Sequence, residues 1–217
     1  GQDAGSSQPS PLIENSGGAN QGPTKGGPFD VPGALAREWL VCCPNPHGRP
    51  NADVLLPWHN GSSVTARWND LWIVDFTGLD EVEAALYERP FAFVVEHVKP
   101  LKLAQARDSR RQTWWLFNEP APGLRAASAT LTRLLVTPEV AKHRIWAWLK
   151  VPVCADKNLV VVPRSDDTTF GVLQSRLHAL WALRYGTSLE DRPRYTSTST
   201  FRTFPFPTGL TPADTAH

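Results

Sequence analysis

The stretch that decides the fold is Asn45 to Phe76, NPHGRPNADVLLPWHNGSSVTARWNDLWIVDF. Its first part, through Arg67, is rich in asparagine, glycine, proline and serine, which favour turns and loops. Its last part, Leu71 to Phe76 (LWIVDF), is a short apolar run typical of a buried β-strand. A polar loop held by a rigid strand presents hydrogen-bonding groups in fixed positions. The stretch therefore predicts a recognition loop on a β-sheet scaffold.

Composition indicates a soluble globular protein. The 217 residues are enough for one sizeable domain, with 41% hydrophobic and 20% charged residues. No apolar run approaches the roughly 20 residues that span a bilayer, and no signal-peptide pattern opens the chain. Adjacent Cys42 and Cys43 are poor disulfide partners and Cys154 makes the count odd, which favours a reducing cytoplasm. The chain has no methionine and opens on Gly1, so we expect a piece of a longer protein.

Charge is unevenly distributed, although the formal net charge is only +1. Residues 67–96 hold seven acidic residues against two arginines, whereas residues 99–111 and 133–150 are mostly basic. Such clusters indicate one acidic and one basic face, or else ordinary solvated helix surfaces. The near-neutral total argues mildly against a simple basic nucleic-acid binder.

Periodicity and turn signals predict a mixed α/β fold of the α+β class. Residues 1–27 are expected to be a flexible linker or loop, and residues 208–217 a polar tail. Residues 28–207 are expected to form one domain with a mixed sheet and several helices, closed by a C-terminal helix. Strands are predicted over 71–76, 113–117, 134–136, 143–149 and 159–162. Helices are predicted over 29–40 with Asp30 as cap, 80–87 with Asp80 as cap, 91–98 between Pro90 and Pro100, 124–131, and 170–184 before Gly186.

Motifs of the common enzyme classes are missing. No GxSxG, P-loop, GxGxxG, HExxH or paired CxxC occurs. Cys43 and His47 have a spacing that zinc accepts, but two further ligands are not evident. Glu139 to Lys142 (EVAK) is one residue too long for the Glu-x-Lys arm of a common metal-dependent nuclease motif. We therefore expect no catalytic residues, metal or cofactor in this chain.

Recognition chemistry is abundant instead. Several of the nine tryptophans stand beside Arg, Asn or His, as in 58–60 (WHN), 67–69 (RWN) and 144–146 (RIW). Arg and Asn contact guanine and adenine edges, Lys and Arg neutralise phosphates, and aromatic rings stack on bases. The alternative is that most of these tryptophans belong to the core.

Six segments resemble a known family in chain order: NPHGRPNADVLLPWHNG (45–61), VTARWNDLWIVDF (64–76), PFAFVVEHVKP (90–100), RRQTWWLF (110–117), KHRIWAWL (142–149) and FGVLQSRLHALWALRYGTSLEDRPRYTSTSTFRTFPFP (170–207). They are similar to the target-recognition region of single-chain, MmeI-like DNA methyltransferases and restriction–modification enzymes. The resemblance covers about residues 28–207. It implies the DNA-reading part of such an enzyme, detached from the catalytic part.

The resemblance also implies the partners of this chain. In that family a class I methyltransferase domain uses S-adenosylmethionine and an Asn-Pro-Pro-aromatic motif to methylate adenine N6. This chain has neither that motif nor a cofactor-binding glycine loop. The expected partners are double-stranded DNA and the methyltransferase domain of a bacterial, cytoplasmic parent chain, which would bind the S-adenosylmethionine.

Ten residues are candidates for contacts with DNA, with a structural hydrogen bond or salt bridge as the alternative for each. The glycine-rich stretch supplies Arg49, Asn51, Asn60 and Arg67. The basic segments supply Lys102, Arg110 and Arg111 for phosphates, and Lys142, His143 and Arg144 for phosphates or base edges.

Two other classes of function stay open at this point. One is a carbohydrate- or protein-binding module that uses exposed tryptophans as stacking platforms. The other is an intact enzyme with an unrecognised site. Binding of a polyanion with a steep dependence on salt would favour DNA recognition over the first. Activity with S-adenosylmethionine in this chain alone would support the second.

Overall fold

The computed structural model describes residues 9–42, 44–189, 192–211 and 214–215. Cys43, and with it the predicted Cys43–His47 spacing for a metal, lies outside the described residues. In these ranges, no helix is long and apolar enough to cross a membrane.

Runs of helices and runs of strands follow one another along the described residues, which confirms the predicted α+β class. The strands are β1 (Asn20–Gln21), β2 (Asp30–Pro32), β3 (Leu55–His59), β4 (Leu71–Val74), β5 (Arg133–Pro138), β6 (Ala147–Lys150), β7 (Cys154–Ala155), β8 (Leu159–Val162), β9 (Thr187–Leu189) and β10 (Arg192–Arg194). The α-helices are α1 (Gly33–Val41), α2 (Gly61–Thr65), α3 (Glu81–Ala85), α4 (Glu88–His97), α5 (Lys99–Leu103), α6 (Asp108–Gln112), α7 (Pro122–Ser128), α8 (Asp167–Gln174) and α9 (Arg176–Tyr185). Two 3-10 helices (Ile13–Asn15 and Asn51–Asp53) and a π-helix (Ser197–Phe201) complete the set.

The described chain divides into two compact units, and the single domain predicted over 28–207 stays a prediction. One, which we call the loop unit, consists of Gly22–Pro122 and Pro152–Lys157. The other, which we call the cleft unit, consists of the described parts of 9–21, 123–151 and 158–215. Each unit is therefore built from separated segments of the chain.

The sheet of the loop unit has the strand order β2-β4-β3-β7. Strand β4 pairs antiparallel with both neighbours, so that Ile73 lies between Asp30 and Leu56. Ile73 and the following Val74 are fully buried, which confirms the strand predicted in LWIVDF. The pair β3–β7 is parallel, so the sheet is mixed, as predicted.

Three predictions in the loop unit were wrong in detail. The helix predicted from residue 29 begins at Gly33, because Asp30–Pro32 pairs with β4 as a strand, and Pro32 occupies the N-cap position instead of Asp30. Residues 113–117 form a turn closed by the Leu116 N–H on the Thr113 carbonyl (3.0 Å), and the turn buries aromatic rings that a strand would place on both faces. Pro100 lies in the first turn of α5 instead of ending a helix, since the missing N–H costs nothing there.

The sheet of the cleft unit is antiparallel, with the order β1-β8-β5-β6. All four residues of β8 are buried, and Val160 and Val162 pack in one cluster with aromatic residues of the C-terminal segment such as Phe201 and Phe204. Residues 9–21, which lie in the segment predicted as a linker, contribute to this unit. Asn20–Gln21 pairs with β8, and the buried Asn15 amide donates to the Phe204 carbonyl (2.8 Å).

The helix predicted over 170–184 is two helices, α8 and α9. Ser175 between them is extended (φ −65°, ψ 153°), and its Oγ accepts a hydrogen bond from the His178 N–H (3.2 Å) as the N-cap of α9. Apolar periodicity is blind to such a break, because the two helices share one buried side. Gly186 ends α9 as predicted, and a Cβ there would lie 2.4 Å from the Ala182 carbonyl oxygen.

Candidate nucleic-acid interface

Hydrogen bonds from two asparagine side chains stabilise the glycine-rich loop, residues 45–67. The amide nitrogen of Asn45 donates to the Arg49 carbonyl (2.7 Å) and to Oδ1 of Asn51 (2.9 Å). Asn51 is buried, and its own amide nitrogen donates to the Trp39 carbonyl at the end of α1 (2.9 Å). Gly48 turns the chain with φ +76°, a conformation that favours glycine. The amide of the predicted site residue Asn51 is therefore occupied inside the fold.

Arg49 lies exposed on this braced loop. Its Nε donates to Oδ2 of Asp53 (2.9 Å), and the same oxygen accepts a hydrogen bond from the Tyr87 hydroxyl (3.1 Å). The guanidinium also lies 5.9 Å from the centre of the Tyr87 ring. Burial raises the pKa of Tyr87, followed by the hydrogen bond to Asp53, so the phenol stays a donor at neutral pH. Arg49 is thus oriented while its Nη groups stay at the surface.

The second part of the loop is organised by Asn60, the N-cap of α2. Its Oδ1 accepts from the Ser63 N–H (3.0 Å) and from the Ser62 hydroxyl (2.7 Å). The Asn60 N–H donates in return to the Ser63 hydroxyl (2.8 Å), which completes a capping box. Arg67, two residues beyond α2, is exposed and has no hydrogen-bond or ion-pair partner among the described residues. The structure therefore places Asn60 and Arg67 on either side of one short helix.

The basic segment contains one buried lysine and two surface arginines. Lys102 is 1% exposed, and its Nζ donates to the Leu116 carbonyl and to Oδ1 of Asn118 (both 2.7 Å). Burial, together with the charge of Arg110, lowers the pKa of Lys102 to about 8. Arg110 is half-buried, and Arg111 is exposed and pairs with Asp108. Lys102 thus connects α5 to residues 116–118 by hydrogen bonds, whereas Arg110 and Arg111 lie in α6.

In the cleft unit, the loop between β5 and β6 lines a cleft of about 270 Å³. Lys142, His143 and Arg144 contribute its polar side, and Ala141, Ala179, Ala182, Leu183 and Pro193 its apolar side. Lys142 and His143 are exposed, and neither has a hydrogen-bond or ion-pair partner in the part of the chain that the structure describes. Three predicted site residues are thus brought together at one concave surface.

Arg144 is held much more firmly than its two neighbours. Its Nη1 donates to the Thr137 hydroxyl (2.9 Å) and to the Pro138 carbonyl, and its guanidinium lies 5.0 Å from the centre of the Tyr195 ring. Burial lowers the pKa of Arg144 to about 10, so the group remains a cation at neutral pH. Sequence reasoning missed Tyr195, because no local signal connects it to Arg144 so far away in the chain. It also missed Thr137, although that residue is close in sequence, because the pattern does not show that its hydroxyl faces Arg144.

Fewer tryptophan rings are accessible to a ligand than the sequence alone would permit. Five of the nine are buried (Trp39, Trp58, Trp114, Trp115 and Trp146), and the other four are half-buried. Trp68, for example, donates its Nε1–H to the Trp58 carbonyl (2.9 Å) and stacks on His59 at 5.4 Å between ring centres. The alternative, that most of the tryptophans belong to the core, is therefore confirmed by these five.

Comparison with known proteins identifies the family. The model of the MmeI target recognition domain matches residues 67–208, which is more than half of the chain. The chain belongs to the MmeI target recognition domain family. This confirms the resemblance found in the sequence. The matched range contains Arg67 and the six predicted site residues after it, whereas Arg49, Asn51 and Asn60 precede it.

A solved structure supports the fold of this MmeI-type domain. The chain resembles the Type IIL restriction–modification enzyme MmeI, solved in complex with DNA, with a TM-score of 0.67 and 19% sequence identity. The likeness covers 94% of this chain and 25% of the MmeI chain, so the chain spans about a quarter of that enzyme. No curated protein sequence matches the chain.

Proposed function

We propose that this chain reads a specific sequence in double-stranded DNA, as the target recognition domain of a site-specific restriction–modification enzyme. The observation that carries the proposal is the match to the MmeI target recognition domain over residues 67–208. The related MmeI enzyme was solved in complex with DNA, and the fold of this chain resembles part of it.

The described cations support contact with a polyanion. Of these, Arg67 and Lys142 are exposed and unpaired among the described residues. The neighbouring His143 side chain is also exposed and unpaired among them, so a phosphate would replace only water around all three. Arg144 lines the same cleft as Lys142 with a fixed guanidinium, which suits a base edge better than a mobile side chain does. We assign phosphate contacts to Arg67 and Lys142, and base reading to Arg144.

Other predicted residues take different roles in this proposal. Asn51 and Lys102 are buried with their donors occupied, and we assign them to support the loop and the α5 segment. Arg49 and Asn60 are oriented at the surface by internal hydrogen bonds and stay candidates for contact. Arg110 and Arg111 stay candidates for phosphates.

For the parent enzyme we propose an adenine-N6 methyltransferase of a bacterial cytoplasm, possessing its own S-adenosylmethionine site. The residues of this chain do not fit that cofactor, since the sequence has neither an Asn-Pro-Pro-aromatic motif nor a cofactor-binding glycine loop. This chain would hold the DNA while the parent's methyltransferase domain receives the extruded adenine, at a cost of a few kcal/mol for unstacking.

The rival based on exposed tryptophans is weakened by the structure. Carbohydrate stacking needs an accessible aromatic face, whereas all nine tryptophans are buried or half-buried. The cleft residues with free donors are basic, which favours an anionic ligand over a neutral sugar.

The test is selection of a randomised duplex library on the 217-residue chain, repeated across a salt series. We expect one short motif to be enriched and affinity to fall as salt rises, with a slope of about 0.9 per neutralised phosphate. Retention that depends on salt without enrichment would show that specificity needs the rest of the parent enzyme. No retention at low salt would reject DNA recognition by this chain.

A further inference from the structure

Arg144 is fixed so that one particular edge of its guanidinium is left open. Nη1 donates its hydrogens to the Thr137 hydroxyl and the Pro138 carbonyl, and Nη2 lies 3.5 Å from the Glu139 carbonyl oxygen. Nε donates to no partner among the described residues. It is also not among the buried polar atoms that lack a hydrogen bond. The Nε–Nη2 edge of the fork therefore keeps donors that are free to bind a ligand in the cleft that Arg144 lines.

Tyr195 supports this arrangement from the inside. Its ring, 1% exposed, lies 5.0 Å from the Arg144 guanidinium carbon and meets Trp146 edge to face at 5.5 Å between ring centres. A cation over an aromatic face is attracted by the ring electrons, most strongly when water is excluded. The buried Tyr195 ring thus provides a flat aromatic face for the planar guanidinium of Arg144.

The hydroxyl of that buried ring is hydrogen-bonded to His178. The Tyr195 hydroxyl lies 3.1 Å from Nε2 of His178, and Nδ1 of His178 lies 3.0 Å from the Leu173 carbonyl. A carbonyl only accepts, so Nδ1 carries the proton, and Nε2 accepts from the tyrosine hydroxyl. Hydrogen bonding therefore runs in one direction, from the Tyr195 hydroxyl to His178 and from His178 to the Leu173 carbonyl.

We propose that Tyr195 is a positioning residue, which holds Arg144 so that its Nε–Nη2 edge faces the cleft as a preformed bidentate reader. This inference rests on the proposed function and names the partner of that edge: two acceptors side by side, as in the O6 and N7 atoms of guanine. A fork that is already fixed loses less conformational freedom on binding than a mobile one. Tyr195 itself would not touch DNA.

The test is a double-mutant cycle on sequence discrimination. Discrimination is the ratio of affinities for the duplex that the wild type enriches and for its single-position variants. Arg144→Lys keeps the charge but removes the fork, and we expect it to lower discrimination at one position on the order of tenfold. Tyr195→Leu should lower it at the same position, and the double variant should lose no more than about twofold beyond either single change.

A conservative variant separates positioning from general support of the fold. Tyr195→Phe keeps the ring and loses the hydroxyl, so we expect it to retain discrimination within about twofold of the wild type. The salt slope should stay unchanged in both Tyr195 variants, since they remove no phosphate contact. Should Tyr195→Leu fail to fold, Thr137→Val takes its place in the cycle. It removes, at nearly constant volume, the hydroxyl that accepts from Nη1 of Arg144 and donates to the Ile145 carbonyl.

A second readout does not depend on DNA. The Nε–H signal of Arg144 in nitrogen-resolved NMR should be rigid in the wild type and in Tyr195→Phe, and mobile in Tyr195→Leu or Thr137→Val. Additive losses in the cycle, or an Nε–H group equally mobile in all four proteins, would overturn the positioning role. A wild type that is not retained on DNA at low salt but keeps a rigid Nε–H would instead reject the proposed function alone.

Discussion

Acid should destabilise the cleft unit through His178, which is fully buried. Burial lowers the pKa of this histidine to about 4 from an ordinary value of 6.5, and the charge of Arg144 acts in the same direction. The unfolded chain therefore binds a proton at higher pH than the folded chain does. The stability that neutral His178 provides is complete above pH 6.5 and is lost as pH falls from 6.5 towards 4. At about 1.36 kcal/mol per pKa unit, the loss amounts to about 3 kcal/mol.

The assay is urea unfolding at several pH values between about 7.5 and 4 for the wild type, His178→Gln and His143→Gln. Glutamine does not titrate in this range, and its amide retains one donor and one acceptor. We expect His178→Gln to be less stable than the wild type at neutral pH, because its shape does not match the ring site. Between pH 6.5 and 4 it should lose about 3 kcal/mol less than the wild type, so that the two curves converge.

The exposed His143 provides the matched control. His143→Gln should follow the wild-type curve throughout, since that side chain is exposed and unpaired among the described residues. If His178→Gln lost as much stability as the wild type across this range, buried neutral histidine would not be the source of the acid sensitivity. The carboxylates, which titrate near the lower end of the range, would then have to account for it.

Three further changes test the cap, the loop brace and the phosphate contact. Ser175→Ala should lower the free energy of unfolding by about 1 kcal/mol through loss of the α9 N-cap, and an unchanged Tm would contradict the cap. Asn51→Ala should cost about 2 kcal/mol because it leaves buried groups unpaired, whereas the exposed Asn69→Ala should cost almost nothing. Lys142→Gln should lower the salt slope of DNA binding by about 0.9, and the charge-matched Lys157→Gln should leave it unchanged; equal slopes for both would reject the Lys142 contact.

Elements with a strong local signal could be predicted from the sequence. Asp80 and Glu83 form the expected capping box of α3, with hydrogen bonds of 2.8 and 3.0 Å. Both partners lie within one turn, so the pattern and the structure report the same short-range energy. Residues 113–117 were misjudged for the opposite reason: their aromatic side chains reach the core from a turn, and only tertiary packing decides between turn and strand.

The candidate site divides in the same way. Lys142, His143 and Arg144 could be selected from the sequence because three polar groups stand together before a strand. Asn51 and Lys102 have the same chemistry, yet both are buried. Which polar residue turns inwards depends on acceptors far along the chain, such as the Leu116 carbonyl for Lys102. Sequence spacing contains no information about those acceptors.

The near-neutral net charge does not oppose DNA recognition once the pairs are considered. Arg37 makes two hydrogen bonds to Asp70 (2.8 and 2.7 Å), and Arg194 makes two to Oε1 of Glu139 (2.9 and 2.7 Å). A close ion pair has almost no field beyond the Debye length, so such pairs contribute little to the attraction of a phosphate backbone. The cations without an internal carboxylate partner determine that attraction, and Lys142 is one of them at the cleft. Removing the carboxylate of a pair should therefore strengthen nonspecific binding to DNA, whereas removing Lys142 should weaken it, although both variants differ from the wild type by one charge.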